Sequence, residues 1–365
     1  MGRILTEKDV EAAVKGGSVY AAGGGGWADH GRMLGTAACR AGRPELVSID
    51  ELPDEAWIAT AAAIGAPAGT TAWEMLGVDY VKAVQLLEKE LGERIAGLII
   101  GQNGRSSTLN AWLPSAILGT KVVDAVGDIR AHPTGDMGSI GLAGSPEPTI
   151  QTAVGGNRAE NRYIELVVRG ATAKVSPILR TASDMSGGFI ASCRNPVRAS
   201  YVRQHAALGG ISLALTLGEA ILAAEARGGH AVIDTICRTT GGSILAEGEI
   251  IAKDVVYTRE AFDIGTVTIR KDGRVSTLHV MNEYMAVDDG DGVRIATFPD
   301  VITSLDPEGE PLSVGQLRVG QSIFVLHVPK SVIPLSSSVL DPSVYPFVEA
   351  AMGIDIASYA LAKGA

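Results

Sequence analysis

The chain has few cysteines and no paired cysteine motif. Its 365 residues include only Cys39, Cys193 and Cys237, which lie far apart and leave an odd cysteine over. This usage argues against a disulfide-stapled secreted domain or a cysteine zinc site, and it favours a reducing compartment. The N-terminal segment carries several charged side chains and no unbroken apolar stretch, so no signal peptide is predicted. We therefore expect a cytoplasmic protein.

The chain also lacks long runs of positive charge and long apolar runs. Its formal net charge is −10 and no more than two Lys or Arg residues are consecutive, which argues against nucleic-acid binding. The most apolar stretch, residues 209–224, is interrupted by Glu219 and is too short to span a membrane. With only five phenylalanines, the core must consist mainly of Ala, Val, Ile and Leu.

The N-terminal half has the alternating pattern of an α/β domain. Thr6 and Asp9 indicate a capping box before a helix that we expect to end near Gly16 and Gly17, followed by a strand over residues 18–22. Short apolar strands then alternate with helices. The predicted strands cover residues 46–49, 57–64, 95–100 and 121–126, and the predicted helices cover residues 30–40, 78–92 and 107–118. This order predicts a mostly parallel sheet with helices on its faces, in a domain over residues 1–165.

The C-terminal half has a different pattern. Residues 201–227 show one long helical periodicity, and short strands separated by glycine-containing turns occupy residues 232–330. This spacing predicts a second domain, residues 166–365, with a long helix and a small β-barrel.

The first stretch that could carry chemistry is a run of four glycines, residues 23–26, before a predicted helix. Exposed backbone amides at a helix N-terminus suit an anion, a carboxylate or a carbonyl oxygen, so Gly24, Gly25 and Gly26 are candidate substrate-binding residues. The spacing matches neither common glycine pattern for nucleotides, and no nucleotide cofactor is expected. The alternative is a tight turn that permits close packing.

A polar loop at a predicted strand end is the second stretch. Within thirteen residues it holds Asp124, Asp128, Arg130, His132 and Asp136, which are candidate catalytic residues. Histidine titrates near neutral pH and can exchange protons or bind a metal. The alternative is a solvated turn whose aspartates cap backbone groups.

Three further residues are candidates for substrate binding. Asn103 and Arg105 lie in a polar loop after a predicted strand, where they could orient a ligand, while neighbouring serines could simply cap the next helix. Glu74 is a potential inward-facing carboxylate, although an isolated glutamate is usually at the surface.

The ordered set of motifs resembles the S-methyl thiohydantoin desulfurase-like family, which is often encoded beside hydantoinase/oxoprolinase genes. The motifs are the glycine run, Gly65-Ala66-Pro67 with Glu74, residues 122–125 before Arg130-Ala131-His132-Pro133, Asn282-Glu283, residues 299–306 before Gly309-Glu310-Pro311, and residues 317–320. The resemblance implies an α/β N-terminal domain followed by a domain containing a small β-barrel. The loop over residues 124–136 departs from the usual family pattern, which suggests a related but different substrate.

The leading hypothesis is an enzyme that adds water to a C=N or C=O carbon of a small heterocycle such as a thiohydantoin, hydantoin or lactam. The glycine amides would hold a carboxylate or oxyanion, His132 or an aspartate would activate water, and Arg130 would fix substrate charge. In a variant of this hypothesis, His132, Asp128 and Asp136 hold a divalent metal, zinc or manganese.

Two alternatives belong to other functional classes. The chain could be a non-catalytic subunit or metabolite-binding partner of a hydantoinase-like or oxoprolinase-like enzyme, or a scaffold whose glycines serve only packing. A homo-oligomer is also expected.

Overall fold

The computed structural model describes residues 2–65 and 72–362. Ala66 and Pro67 of the predicted Gly65-Ala66-Pro67 motif lie outside the described residues. The described chain forms two β-sheets with helices packed on and between them. The helices are α1 (Glu7–Tyr20), α2 (Ala28–Ala41), α3 (Gly77–Leu91), α4 (Trp112–Leu118), α5 (Thr172–Met185), α6 (Ala199–His205), α7 (Gly210–Ala224), α8 (Gly229–Thr240), α9 (Pro346–Met352) and α10 (Ala357–Ala360).

The first sheet is mixed and has a parallel centre. Its strands are β1 (Arg3–Ile4), β2 (Glu45–Val47), β3 (Trp57–Gly65), β4 (Gly97–Ile100), β5 (Lys121–Val126), β6 (Thr149–Gly155), β7 (Ile164–Gly170), β8 (Phe189–Arg198) and β9 (Ala207–Leu208). Along the sheet the order is β1-β2-β5-β4-β3-β8-β6-β7, and β9 pairs with β5. Strands β2, β5, β4 and β3 are parallel, as the alternating pattern predicted. Strands β8, β6 and β7 extend the sheet in antiparallel fashion, so the sheet includes residues on both sides of residue 165.

Helices cover both faces of the first sheet. Adjacent side chains of a strand point to opposite faces of the sheet. Two neighbouring residues of β6 contact α3 and α5, so these two helices lie on opposite faces. The hydroxyl of Thr152 donates to the backbone oxygen of Ala83 in α3, at 2.8 Å. The neighbouring side chain of Gln151 donates to Ser176 in α5, at 3.4 Å. The predicted α/β architecture of the N-terminal half is confirmed.

The second sheet is antiparallel and curled into a half-barrel. Its strands are β10 (Ser243–Tyr257), β11 (Asp263–Lys271), β12 (Arg274–Met281), β13 (Glu283–Asp289), β14 (Arg294–Thr297), β15 (Val301–Leu305) and β16 (Ser322–Val328). Their order is β14-β13-β12-β11-β10-β16-β15. A buried cluster that includes Ile250, Val267, Leu278 and Val325 fills its concave side. The short strands predicted in this part of the chain are confirmed, in an open sheet rather than a closed barrel.

Helix α1 is longer than predicted, and the predicted strand over residues 18–22 is wrong. The capping box of Thr6 and Asp9 is present, but the helix continues past Gly16 to Tyr20. Gly16 is needed for packing, because a Cβ atom there would lie 1.8 Å from the backbone oxygen of Ala214 in α7. A close helix crossing therefore accounts for the glycines that suggested a helix end, and the glycine run connects two helices.

The long helix predicted over residues 201–227 is not confirmed, because the structure divides this stretch. Helix α6 ends at His205, the short strand β9 follows, and α7 begins at Gly210. Gly209 has a φ of +77°, a left-handed conformation that favours glycine and interrupts the helix. Among the described residues, no helix is both long and apolar enough to cross a bilayer.

Candidate active site

A cavity of about 650 Å³ lies at the carboxyl edge of the parallel strands, between the two sheets. Strand β3 contributes residues up to Gly65, the loop after β4 contributes Gln102, and the loop after β5 contributes His132. Ligands bind at this edge in open α/β sheets, and the volume suits a small molecule. The second half of the chain supplies further polar and aromatic lining, which includes Arg180, Phe189, Arg194, Phe262, Asn282 and Glu283.

The glycine run forms one wall of this cavity. Gly25 and Gly26 line it, with φ values of +72° and +83° that favour glycine. Gly26 packs against Ser106, because a Cβ atom at this position would lie 2.1 Å from Oγ. The run also joins the two halves, since the backbone N–H of Tyr284 donates to the oxygen of Ala22 at 2.8 Å. The glycine run is therefore tightly packed, and Gly25 and Gly26, but not Gly24, border the cavity. Binding of a substrate by these glycines stays a prediction.

Glu283 is an acidic residue that packs against the glycine run, and the sequence alone did not identify it as a site residue. It lines the cavity, is only 3 % exposed, and its Oε2 has no hydrogen-bond partner in the part of the chain that the structure describes. Burial raises the pKa of its carboxyl to about 8, and the negative charge of Asp263 adds to this rise. Arg130, Arg180 and the backbone amide of Gly25 act in the opposite direction and lower the pKa. At neutral pH the protonated form therefore predominates.

The local backbone directs Glu283 into the cavity. The preceding residue, Asn282, has a φ of +56°. Its backbone N–H donates to the backbone oxygen of Asp263 at 2.8 Å. The Asn282 side-chain oxygen accepts from the N–H of Asp263 at 2.9 Å. This left-handed residue ends β12 and starts β13 at Glu283. The motif Asn282-Glu283 was the only sequence signal that could have identified the acid.

His132 is a buried residue that faces the same cavity. Its ring is 6 % exposed, and neither ring nitrogen has a hydrogen-bond partner among the described residues. Its backbone N–H donates to Oε1 of Gln102 at 3.1 Å, which fixes the loop that carries it. Burial lowers the pKa of the imidazole well below 6.5, and the positive charges of Arg194, Arg130 and Arg180 lower it further. The imidazole is therefore neutral, and its Nε2 packs against Gly138, where a Cβ atom would lie 2.2 Å away.

Two arginines that the sequence reasoning did not select also line the cavity. Arg180 donates to the backbone oxygens of Gly65 at 3.0 Å and Pro133 at 2.7 Å. Arg194 is 5 % exposed and lies near Asp136, the one predicted aspartate that reaches the cavity. Burial raises the pKa of Asp136, whereas Ser176 and Arg194 oppose the rise.

The other catalytic candidates of the second predicted stretch, Asp124, Asp128 and Arg130, lie outside the cavity lining. Asp124 accepts from the backbone N–H groups of Ile211 and Ser212, both at 3.0 Å, and so caps α7. Asp128 and Arg130 are fully buried behind the wall. The guanidinium of Arg130 donates to the backbone oxygens of Ala131 and Asp300. Burial raises the pKa of Asp128 to about 7, which Arg130 opposes.

The three remaining predicted binding residues make internal contacts away from the cavity lining. Asn103 donates to the backbone oxygens of Ile129 and Gly210. Arg105 joins the two halves through hydrogen bonds to Gln316 and to the backbone oxygen of Pro311. Glu74 accepts from the backbone N–H of Arg158 at 2.9 Å.

The proposed metal ligands do not form a cluster. Over residues 2–65 and 72–362, no group of three or more His, Cys, Asp or Glu side chains is arranged to hold a metal ion. His132 and Asp136 line the cavity, whereas Asp128 lies behind its wall. The donor set considered from the sequence therefore does not fit zinc or manganese.

Comparisons with known proteins agree with this architecture. Residues 8–161 match the S-Me-THD-like N-terminal domain, and residues 171–336 match the S-Me-THD-like C-terminal domain. The fold is similar to the crystal structure of a protein from Chromobacterium violaceum, with a TM-score of 0.70 and 23 % identity over 95 % of this chain and 96 % of that chain. No curated protein matches the chain. Because the two domain matches together cover most of the sequence, the chain belongs to the S-Me-THD-like family, the S-methyl thiohydantoin desulfurase-like family.

Proposed function

We propose that the protein is an enzyme that adds water to a ring carbon of a small nitrogen heterocycle, with an S-methyl thiohydantoin as the first candidate and hydantoins or lactams next. One observation carries this proposal: Glu283 and His132 line the same cavity, and each has buried polar atoms without a hydrogen-bond partner among the described residues. A protonated acid and a neutral imidazole in one site are the pair that water addition requires. The family membership supports a thiohydantoin as the substrate class.

The reaction balances with these two groups alone. Water attacks the ring carbon that bears the S-methyl group while His132 takes one water proton. Glu283 gives its proton to the ring nitrogen, so the C=N bond becomes a single bond. The resulting hydroxyl returns a proton to Glu283 as C=O forms, and the C–S bond breaks. The methylthiolate takes the proton from His132, and the products are a hydantoin and methanethiol.

The lining of the cavity gives the remaining groups supporting roles. The Gly25 amide faces the Glu283 carboxyl, so it stabilises the carboxylate that forms when Glu283 gives up its proton. Phe189 and Phe262 supply apolar surface on which a flat ring can lie. Asp124, predicted as a catalytic residue, has no role in this scheme because its carboxylate accepts hydrogen bonds from two backbone N–H groups at the start of α7.

The test uses the purified protein alone with S-methyl thiohydantoins, hydantoins and lactams. We expect release of methanethiol and incorporation of heavy oxygen from labelled water into the hydantoin. Glu283→Gln should lower turnover by at least about a hundredfold, the usual size of a general-acid contribution. The matched control is Glu93→Gln, an exposed position outside the cavity, which should retain activity.

Full turnover by a folded Glu283→Gln protein would overturn the assignment of the acid. Activity that appears only after a hydantoinase-like partner is added would instead support the non-catalytic subunit.

A further inference from the structure

Arg194 carries a buried positive charge that makes no side-chain hydrogen bond or ion pair with the described part of the chain, although Asp136 acts on it electrostatically. The residue is 5 % exposed and lines the cavity, and its Nε has no hydrogen-bond partner among the described residues. Among the described residues, no carboxylate lies within 4.0 Å of its guanidinium. The undescribed residues 66–71 contain no Asp or Glu. A buried guanidinium without a partner is costly, and cavity-facing groups of this kind are usually satisfied by a ligand.

Two glycines leave room around this guanidinium. A Cβ atom at Gly135 would lie 2.5 Å from Nη1 of Arg194, and one at Gly101 would lie 3.2 Å from Nη2. Both glycines belong to loops that follow parallel strands, where the cavity opens. Any larger residue at Gly135 would displace the guanidinium, so the loops keep Arg194 in position.

Arg180 adds a second positive charge to the same cavity. Its guanidinium donates only to backbone oxygens and lies 4.6 Å from the centre of the Phe262 ring. No carboxylate among the described residues lies within 4.0 Å of it. The two backbone contacts hold its guanidinium in place, and the residue lines the cavity.

The charges inside the cavity leave an excess of one positive unit. Arg180 and Arg194 contribute two positive charges, and Asp136 contributes one negative charge. Glu283 is uncharged below about pH 8, because burial raises its pKa to that value. At the mouth the exposed pair Arg259 and Glu260 cancel each other. A positive interior is notable in a chain with a net charge of −10, and it matches a ligand with one negative charge.

We propose that the substrate carries a carboxylate on its ring substituent, and that Arg194, assisted by Arg180, binds this carboxylate and thereby selects the substrate. The inference rests on the proposed function, since it names the class of heterocycle that the same cavity accepts. A planar guanidinium matches the two oxygens of a carboxylate, which gives orientation as well as affinity. Arg194 and Arg180 are thus specificity residues, whereas Glu283 and His132 act on the ring.

The experiment measures binding of two product-like ligands by calorimetry. One is a hydantoin with a carboxymethyl arm on its saturated ring carbon, and the other is its carboxamide isostere. We expect the full-length protein to bind the carboxylate at least about tenfold more tightly. Arg194→Met should reduce this preference to about twofold or less, while Arg43→Met, an exposed control, should keep it. Arg180→Met should partially weaken the preference for the carboxylate. This variant tests the inference if Arg194→Met does not fold.

The outcomes separate the two proposals. Equal binding of the two ligands by the unmodified protein overturns the carboxylate inference, even if neutral heterocycles are turned over. Selective binding of the carboxylate without turnover of any heterocycle supports anion recognition and contradicts the proposed reaction. Failure to bind either ligand overturns the inference.

Discussion

Gly24 and Glu283 are packed so closely that no side chain fits between them. A Cβ atom at Gly24 would lie 2.1 Å from Oε1 of Glu283 and 2.7 Å from its Cδ. The glycine run from the first half of the chain therefore forms the wall against which the buried acid of the second half rests. The run positions the Glu283 carboxyl, in addition to bordering the cavity.

Gly24→Ala tests this packing. The added methyl group must push the Glu283 carboxyl away from its position, so we expect at least a tenfold loss of turnover on an active substrate, with overpacking that costs about 1–3 kcal/mol of stability. Turnover and thermal unfolding, measured together, separate the two effects. Gly290→Ala is the control, because its nearest neighbour would lie at an ordinary 3.4 Å. A stable Gly24→Ala protein with full turnover would contradict the assigned role of the contact.

Glu283 should make folding stability depend on pH. Its pKa is raised from 4.5 to about 8, so between these values the folded chain keeps a proton that the unfolded chain has lost. Stability from this group is present below about pH 4.5 and is lost as pH rises toward about 8. The Gln side chain of Glu283→Gln cannot titrate. As the pH rises from about 4.5 to about 8, the free energy of unfolding of this variant should therefore increase relative to that of wild type, by at most about 1.4 kcal/mol per pH unit.

Urea denaturation at a series of pH values measures this difference. Glu93→Gln, at an exposed position, should run parallel to wild type. If the Glu283→Gln and wild-type curves are also parallel, then the carboxyl is ionised in the folded protein and cannot donate the proton.

Local patterns predicted the elements that depend on local spacing. Strand β5 has the predicted bounds, and the parallel centre of the first sheet follows from alternating apolar strands and helices. His132 and Asp136 lie at the cavity because the loop after β5 reaches the sheet edge, as the α/β topology requires. These features were predictable because neighbouring residues in the sequence determine them.

Features that depend on distant contacts were not predictable. Gly16 indicated a helix end, yet it serves a helix crossing with α7 whose partner lies far along the chain. Arg180 and Arg194 had no local motif, and only the pairing of β8 with β3 and the packing of α5 bring them to the cavity. Asp124 has a residue type that suits catalysis. Its carboxylate instead accepts hydrogen bonds from two backbone N–H groups of α7, a helix that lies far along the chain.

His132 should respond to charge in the cavity. Burial and the charges of Arg194, Arg130 and Arg180 hold its pKa well below 6.5, so a carboxylate bound between the arginines should raise that pKa by roughly one unit. The neutral carboxamide ligand should leave it nearly unchanged. Histidine ring resonances followed by NMR during a pH titration measure both effects, and His132→Gln assigns the signal. The exposed ring of His230 provides the internal control. Identical shifts with the two ligands would show that the arginine charges do not set the pKa of His132.

Asp124 should matter for stability and not for chemistry. Its carboxylate accepts from the N–H groups of Ile211 and Ser212 at the start of α7, and losing such a cap costs about 1–2 kcal/mol. Asp124→Ala should therefore unfold at a lower urea concentration, while turnover per folded molecule stays unchanged. Asp124→Asn keeps a side-chain oxygen acceptor and should recover much of the stability. If folded Asp124→Ala instead loses turnover and Asp124→Asn fails to restore it, the carboxylate acts in the reaction, as the residue type alone suggested.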